Sequence, residues 1–74
     1  MLTNIDPTKN MRRFYCVQIV PTLFGEWSIM REWGRIGSPG RVTVESFASE
    51  DEARRAERQT IGTRSRHGYR QVQP

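Results

Sequence analysis

The sequence predicts an α+β domain, a small twisted antiparallel β-sheet packed with one α-helix. Three observations carry this expectation. Apolar residues alternate along residues 11–20, 26–36 and 41–47. Turns bearing Gly and Pro separate those stretches, and a helix-capping signature after Ala48 precedes small or apolar residues three and four apart.

Residues 1–10 are polar, show no periodic apolar pattern and contain Asp6-Pro7, so they are expected to form a surface lead-in to a single domain at residues 11–74. In the first strand Tyr15, Val17 and Ile19 share one side and Phe14, Cys16 and Gln18 the other. Both sides are partly apolar, which places this strand centrally. Pro21-Thr22-Leu23-Phe24-Gly25 interrupts the ladder and reads as a hairpin connection. The second strand puts Trp27, Ile29, Arg31 and Trp33 on one face and Ser28, Met30 and Glu32 on the other. Gly37-Ser38-Pro39-Gly40 has the composition of a tight turn. In the third strand Val42 and Val44 oppose Arg41, Thr43 and Glu45, the alternation of a half-buried strand.

Ser49 and Glu52 are spaced as a capping box, and Glu50, Asp51 and Glu52 suit the positive end of a helix dipole. Ala53, Ala56, Thr60 and Ile61 form the inward stripe. Glu57 interrupts it and Gly62 weakens the last turns, so the helix is expected to pack loosely or to end near Gly62. His67-Gly68-Tyr69 reads as a terminating turn, and residues 69–73 as a short edge strand.

A chain of 74 residues is one small module. Such a module hides only roughly 60% of its unfolded surface, too little for a deep water-excluding pocket, so a self-contained enzyme is disfavoured. Eleven Arg and one Lys against two Asp and six Glu leave a net charge of +4. The sequence pI near 10.2 makes a polyanion the first partner to test. From Arg58 onward there are four Arg and no acid, which matches the whole net charge.

The single Cys16 excludes an internal disulfide, and with the single His67 no zinc-ligand set can be assembled, so no metal or cofactor is expected. Cys16, inside a strand, reads as a small core hydrophobe, and every possible Ser-His-Asp triad would need His67, which has no acid near it in sequence. No apolar run is long enough to span a membrane. A soluble cytoplasmic protein is expected, nucleoid-associated if it binds DNA.

Residues 31–40 hold the most specific pattern, an aromatic, a glycine and a guanidinium at a strand end followed by a glycine-rich turn. The segment Trp33-Gly34-Arg35-Ile36-Gly37 resembles the signature of WGR domains, a module of poly(ADP-ribose) polymerases and of short bacterial proteins. Arg13-Phe14-Tyr15 with Val17 and Ile19 is similar to the first strand of that family, and Trp27-Ser28-Ile29 to its second. Ala53, Ala56 and Ile61 fall where its helix keeps small or apolar residues, and Arg64, Arg66 and Tyr69 resemble its basic helix end followed by an aromatic. The resemblance covers residues 13–70. It implies a small antiparallel sheet carrying a helix and, by analogy with the polymerases, a sensor of DNA breaks. There the signature Trp stacks on a sugar near a strand end and basic residues hold the terminal phosphate. ADP-ribosyl transfer belongs in those enzymes to a separate catalytic domain, too large for this chain.

The residues themselves suit such a role. A flat aromatic covers a sugar or an exposed base, Gly34 permits close backbone approach, and the Arg35 fork matches phosphate oxygens. Arg64, Arg66 and Arg70 form a basic cluster without acids. The bland readings are that Trp33 covers the sheet, that Arg35 packs against a carboxylate such as Glu32, and that the late arginines are a solvated helix end. The expected contacts are Trp33, Gly34, Arg35, Arg64, Arg66, Tyr69 and Arg70, extended by Arg31 and Arg41, with Arg12 and Arg13 also flanking the strands. The expected function is non-enzymatic binding of nucleic acid, DNA in preference to RNA, at the phosphate backbone or a 5′ end without base specificity. The alternative is a regulatory module that docks on a separately encoded protein through Trp33 and Arg35. The resemblance implies an interdomain contact for Arg35, which favours that alternative, as do the departures from the family pattern at Glu32, Glu57 and Gly62; an acid at Glu32, beside the signature, would repel a phosphate.

Overall fold

The computed structural model describes residues 1–72 and orders them as β1 (Leu2–Asp6), a 3-10 turn (Pro7–Lys9), β2 (Met11–Pro21), β3 (Trp27–Arg35), β4 (Arg41–Phe47), α1 (Glu50–Arg66) and β5 (Arg70–Gln71). The strands form one antiparallel sheet in the order β4-β3-β2-β1-β5. The expected α+β class holds, and β2 is the central strand. Of the expected edge strand at residues 69–73, Gln73 lies outside the described residues.

The β2–β3 hairpin pairs Tyr15 with Trp33, Val17 with Arg31 and Ile19 with Ile29. Directly opposed residues share a face, so this register puts the apolar set on the side that α1 covers. Leu2, Tyr15, Ile29 and Ala53 are the buried apolar residues, with Ile29 and Ala53 fully sealed. The opposite face carries Phe14, Cys16, Met30, Val42 and Val44 without a covering element among the described residues.

The expectation of a surface lead-in at residues 1–10 is corrected. Leu2 is only 3% exposed, and β1 pairs with β2 from Leu2–Tyr15 to Asp6–Met11. The sequence hides this strand because its two aliphatic residues, Leu2 and Ile5, point to opposite faces; Ile5 is more than half exposed. β1 also anchors the far end of the chain. Asn4 Nδ2 donates to the His67 carbonyl at 3.2 Å, just past α1. The Val72 amide donates to the Met1 carbonyl at 2.9 Å.

Ser49 caps α1 as expected, its Oγ accepting from the Glu52 amide at 3.2 Å. Glu52 returns a bond to the amide of Ala48, one residue before the cap, at 3.3 Å. Of the two alternatives for the helix, an end near Gly62 is excluded, since α1 runs on to Arg66, and Ala53 is its buried residue. The continuous backbone ladder outweighs a propensity deficit of about 1 kcal/mol. A Cβ at Gly62 would meet only Arg66 Nη1, at 3.8 Å. Gly62→Ala is therefore expected to stabilise the domain by about 0.5–1 kcal/mol, a rise of about 2–8 °C in Tm by calorimetry. An unchanged or lower Tm would show that the helix end tolerates no side chain there.

Candidate nucleic-acid interface

The residues near the helix C-terminus assemble around Tyr15. This ring is 4% exposed and stacks on Trp33, its partner across the β2–β3 ladder, with centroids 5.7 Å apart and planes inclined by 16°. Tyr69 meets Tyr15 edge-on at 6.3 Å. The Arg64 guanidinium lies 4.4 Å from the Tyr15 ring centroid, in cation–π range. Gly68, at φ +93, reverses the chain after the helix, and the Tyr69 amide donates to the Arg64 carbonyl at 3.0 Å. One buried tyrosine thus sets the positions of an indole from β3, a guanidinium from α1 and a phenol from the segment after the helix.

Beside this cluster opens a cleft of about 510 Å³, at the end of the sheet where β2 begins and β3 ends. Trp33, Gly34, Arg35, Arg64 and Tyr69 line it, joined by Lys9, Arg12 and Arg13. Five cations and no carboxylate therefore border one concavity. Among the described residues none of the five takes part in an ion pair. Arg13 and Arg35 are directly opposed across the ladder, a like-charge pairing that costs stability. By contrast, the neighbouring cleft of about 400 Å³ between α1, β3 and β4 carries Glu45 beside Arg31.

The other sequence candidates lie elsewhere. Arg31 is held within the fold, donating to Glu45 Oε1 at 3.0 Å and to Thr60 Oγ1 at 3.3 Å. Arg41 sits opposite Trp33 on β4 but does not border the basic cleft. Arg66 is exposed and reaches back to Thr63 Oγ1 at 3.3 Å. Arg70 lies on β5, across β1 from the cleft, in a separate depression that includes Asp6.

A family model described as "WGR domain" matches residues 1–74. The chain belongs to the WGR family. It is also 39% identical over 66 residues to the uncharacterized protein y4dW of Sinorhizobium fredii (strain NBRC 101917 / NGR234), a match covering 89% of this chain and 32% of that protein. The chain thus spans about a third of the length of this curated relative. No solved structure matches it significantly.

Within this WGR domain the three signature residues have different surroundings. Trp33 and Arg35 lie on the α1 side of the sheet, while Gly34 faces the other way against Phe14. A Cβ at Gly34 would approach the Gly40 Cα to 3.0 Å, and one at Gly40 would come within 2.6 Å of the Trp33 carbonyl oxygen and 2.8 Å of Phe14 Cζ. The 36–40 turn folds back onto the signature strand, and the two glycines allow it to close there. Close approach at Gly34 is thus made by the chain's own turn. Glu32 falls between Cys16 and Val42 on the face away from Trp33. It neither pairs with Arg35 nor borders the cleft.

Sequence reasoning missed Tyr15 as the organising residue and gave Arg13 only a flanking place. The register was the available signal for both. Aligning the hairpin about Phe24 sets Tyr15 against Trp33 and Arg13 against Arg35. Lys9 carried no such signal, because its position depends on the β1–β2 connection, where Asn10 adopts a left-handed conformation at φ +51.

Proposed function

We propose that this WGR domain binds DNA at its phosphate backbone or at a 5′ end, without reading base edges. The observation that carries the reading is the cleft bordered by Lys9, Arg12, Arg13, Arg35 and Arg64 with no carboxylate, beside the half-buried Trp33. Guanidinium forks match phosphate oxygens bidentately, and an indole at the rim offers a surface for a terminal sugar or base. The opposed Arg13 and Arg35 give the cleft a standing repulsion that an anion would relieve. Backbone contacts carry no sequence information, so binding is expected to be indifferent to base order. Glu32 lies on the far face of the sheet, so it does not oppose a phosphate held in the cleft.

The test is a titration of labelled duplexes, with and without a 5′ phosphate, across a salt series. Neutralising about four phosphates gives a slope of log K against log salt of roughly −3 to −4, with tighter binding of the phosphorylated end. Absence of binding at low salt, or a slope near zero, would overturn the proposal.

A further inference from the structure

The β4 edge of the sheet has an unusual internal symmetry. β4 is the last strand of the ladder, pairs only with β3 among the described residues, and is exposed from Arg41 to Ser46. The opposite edge is the two-residue β5. A seven-residue edge strand presents a row of unpaired N–H and C=O groups, and proteins usually blunt such edges with charged side chains, Lys above all, with Pro or with a bulge. β4 contains neither Lys nor Pro, its two charges, Arg41 and Glu45, are of opposite sign, and its pairing with β3 runs without a bulge from Trp33–Arg41 to Trp27–Phe47. Val42 and Val44 stand 51% and 64% exposed on the face α1 does not cover.

We propose that β4 is a self-association edge that pairs antiparallel with β4 of a second copy of this chain, about a two-fold axis through Thr43. The reason for choosing a second copy is charge complementarity along the strand. In Arg41-Val42-Thr43-Val44-Glu45 this register sets Arg41 against Glu45 of the second copy, Val42 against Val44, and Thr43 against its own equivalent. Both ends of the segment then carry an opposite-charge pair and both apolar positions meet an apolar partner, the two kinds of cross-strand contact that stabilise a ladder.

Other registers lose these matches. Centring on Val42 sets Arg41 against Thr43, and centring on Val44 sets Thr43 against Glu45 and Arg41 against Phe47. A one-residue slip places each valine against a polar residue and reverses the face of the second copy. Glu45 already accepts from Arg31 through Oε1. Its second oxygen is available to Arg41 of the other copy. The product is a continuous ten-stranded sheet with both helices and both basic clefts on one side. This inference stands apart from the DNA reading, because Arg41 does not border the cleft.

Charge reversal tests the register. Sedimentation equilibrium of the unmodified chain from about 10 μM to about 1 mM is expected to show a weak, concentration-dependent dimer, in keeping with the small area of a strand-edge contact. Arg41→Glu and Glu45→Arg each turn two attractive pairs into two repulsive ones, so each variant alone is expected to self-associate at least about tenfold more weakly. Mixing the two variants restores both opposite-charge pairs and is expected to recover dimer as a heterodimer, which also shows that each variant folds. An unmodified chain that stays monomeric at about 1 mM would overturn the proposal. So would association unchanged by either reversal, or a mixture no more associated than its components.

Discussion

Replacing Arg13, Arg35 and Arg64 together by Ala is expected to weaken binding of a 5′-phosphorylated duplex about a hundredfold to a thousandfold at moderate salt. Each charge-assisted phosphate contact contributes on the order of 1.5 kcal/mol, roughly a tenfold factor. The salt slope should become shallower by about one per guanidinium removed. Arg66→Ala and Arg31→Ala serve as controls, because neither residue borders the cleft and Arg31 is held by Glu45 and Thr60. Each control is expected to change affinity by less than about threefold. A loss of roughly fivefold to tenfold from Arg66→Ala, the same per charge as in the triple variant, would mean that net charge, not the cleft, governs binding.

The same residues link binding to stability. Arg13 and Arg35 oppose each other across the ladder, so Arg13→Ala alone should stabilise the fold by about 0.2–1 kcal/mol while it weakens DNA binding. Opposite signs for stability and affinity in one variant are hard to obtain from general damage. They are the expected mark of a site whose charges are assembled against their own repulsion.

Tyr15→Ala is expected to have the largest effect on the fold, about 3–5 kcal/mol by chemical denaturation. Tyr15 is buried, stacks on Trp33, meets Tyr69 edge-on and lies under the Arg64 guanidinium. A chain of this length has a total stability of only about 4–11 kcal/mol, so this one truncation removes much of it. Tyr15→Phe keeps the ring and should cost less than about 1 kcal/mol. If Tyr15→Ala proved as stable as the unmodified chain, the aromatic cluster would be a surface feature and the cleft would need another support.

The strand alternation, the two hairpin turns and the Ser49–Glu52 signature placed β2, β3, β4 and the start of α1, because each is local and has its own period or cap. β1 escaped because Leu2 and Ile5 point to opposite faces, and the sequence left the end of α1 open because the local penalty at Gly62 has to be weighed against the ladder that spans it. The Trp33-Gly34-Arg35 segment was legible as a signature. The same tripeptide also held the information that Gly34 faces away from its two neighbours, and strand alternation delivers it directly.

By itself, then, the sequence determined the α+β class, the basic character and a signature that identifies the family. These follow from composition and from patterns a few residues long. Only the tertiary structure decided which arginines act together. Four late arginines matched the net charge in the sequence, yet only Arg64 of that group borders the cleft, where it joins Lys9, Arg12, Arg13 and Arg35 from the sheet. The reason is geometric. Arg66 reaches back along the helix to Thr63, and Arg70 follows β5 to the far side of β1. Arg13 and Arg35, 22 positions apart in the chain, are brought face to face by the pairing of β2 with β3.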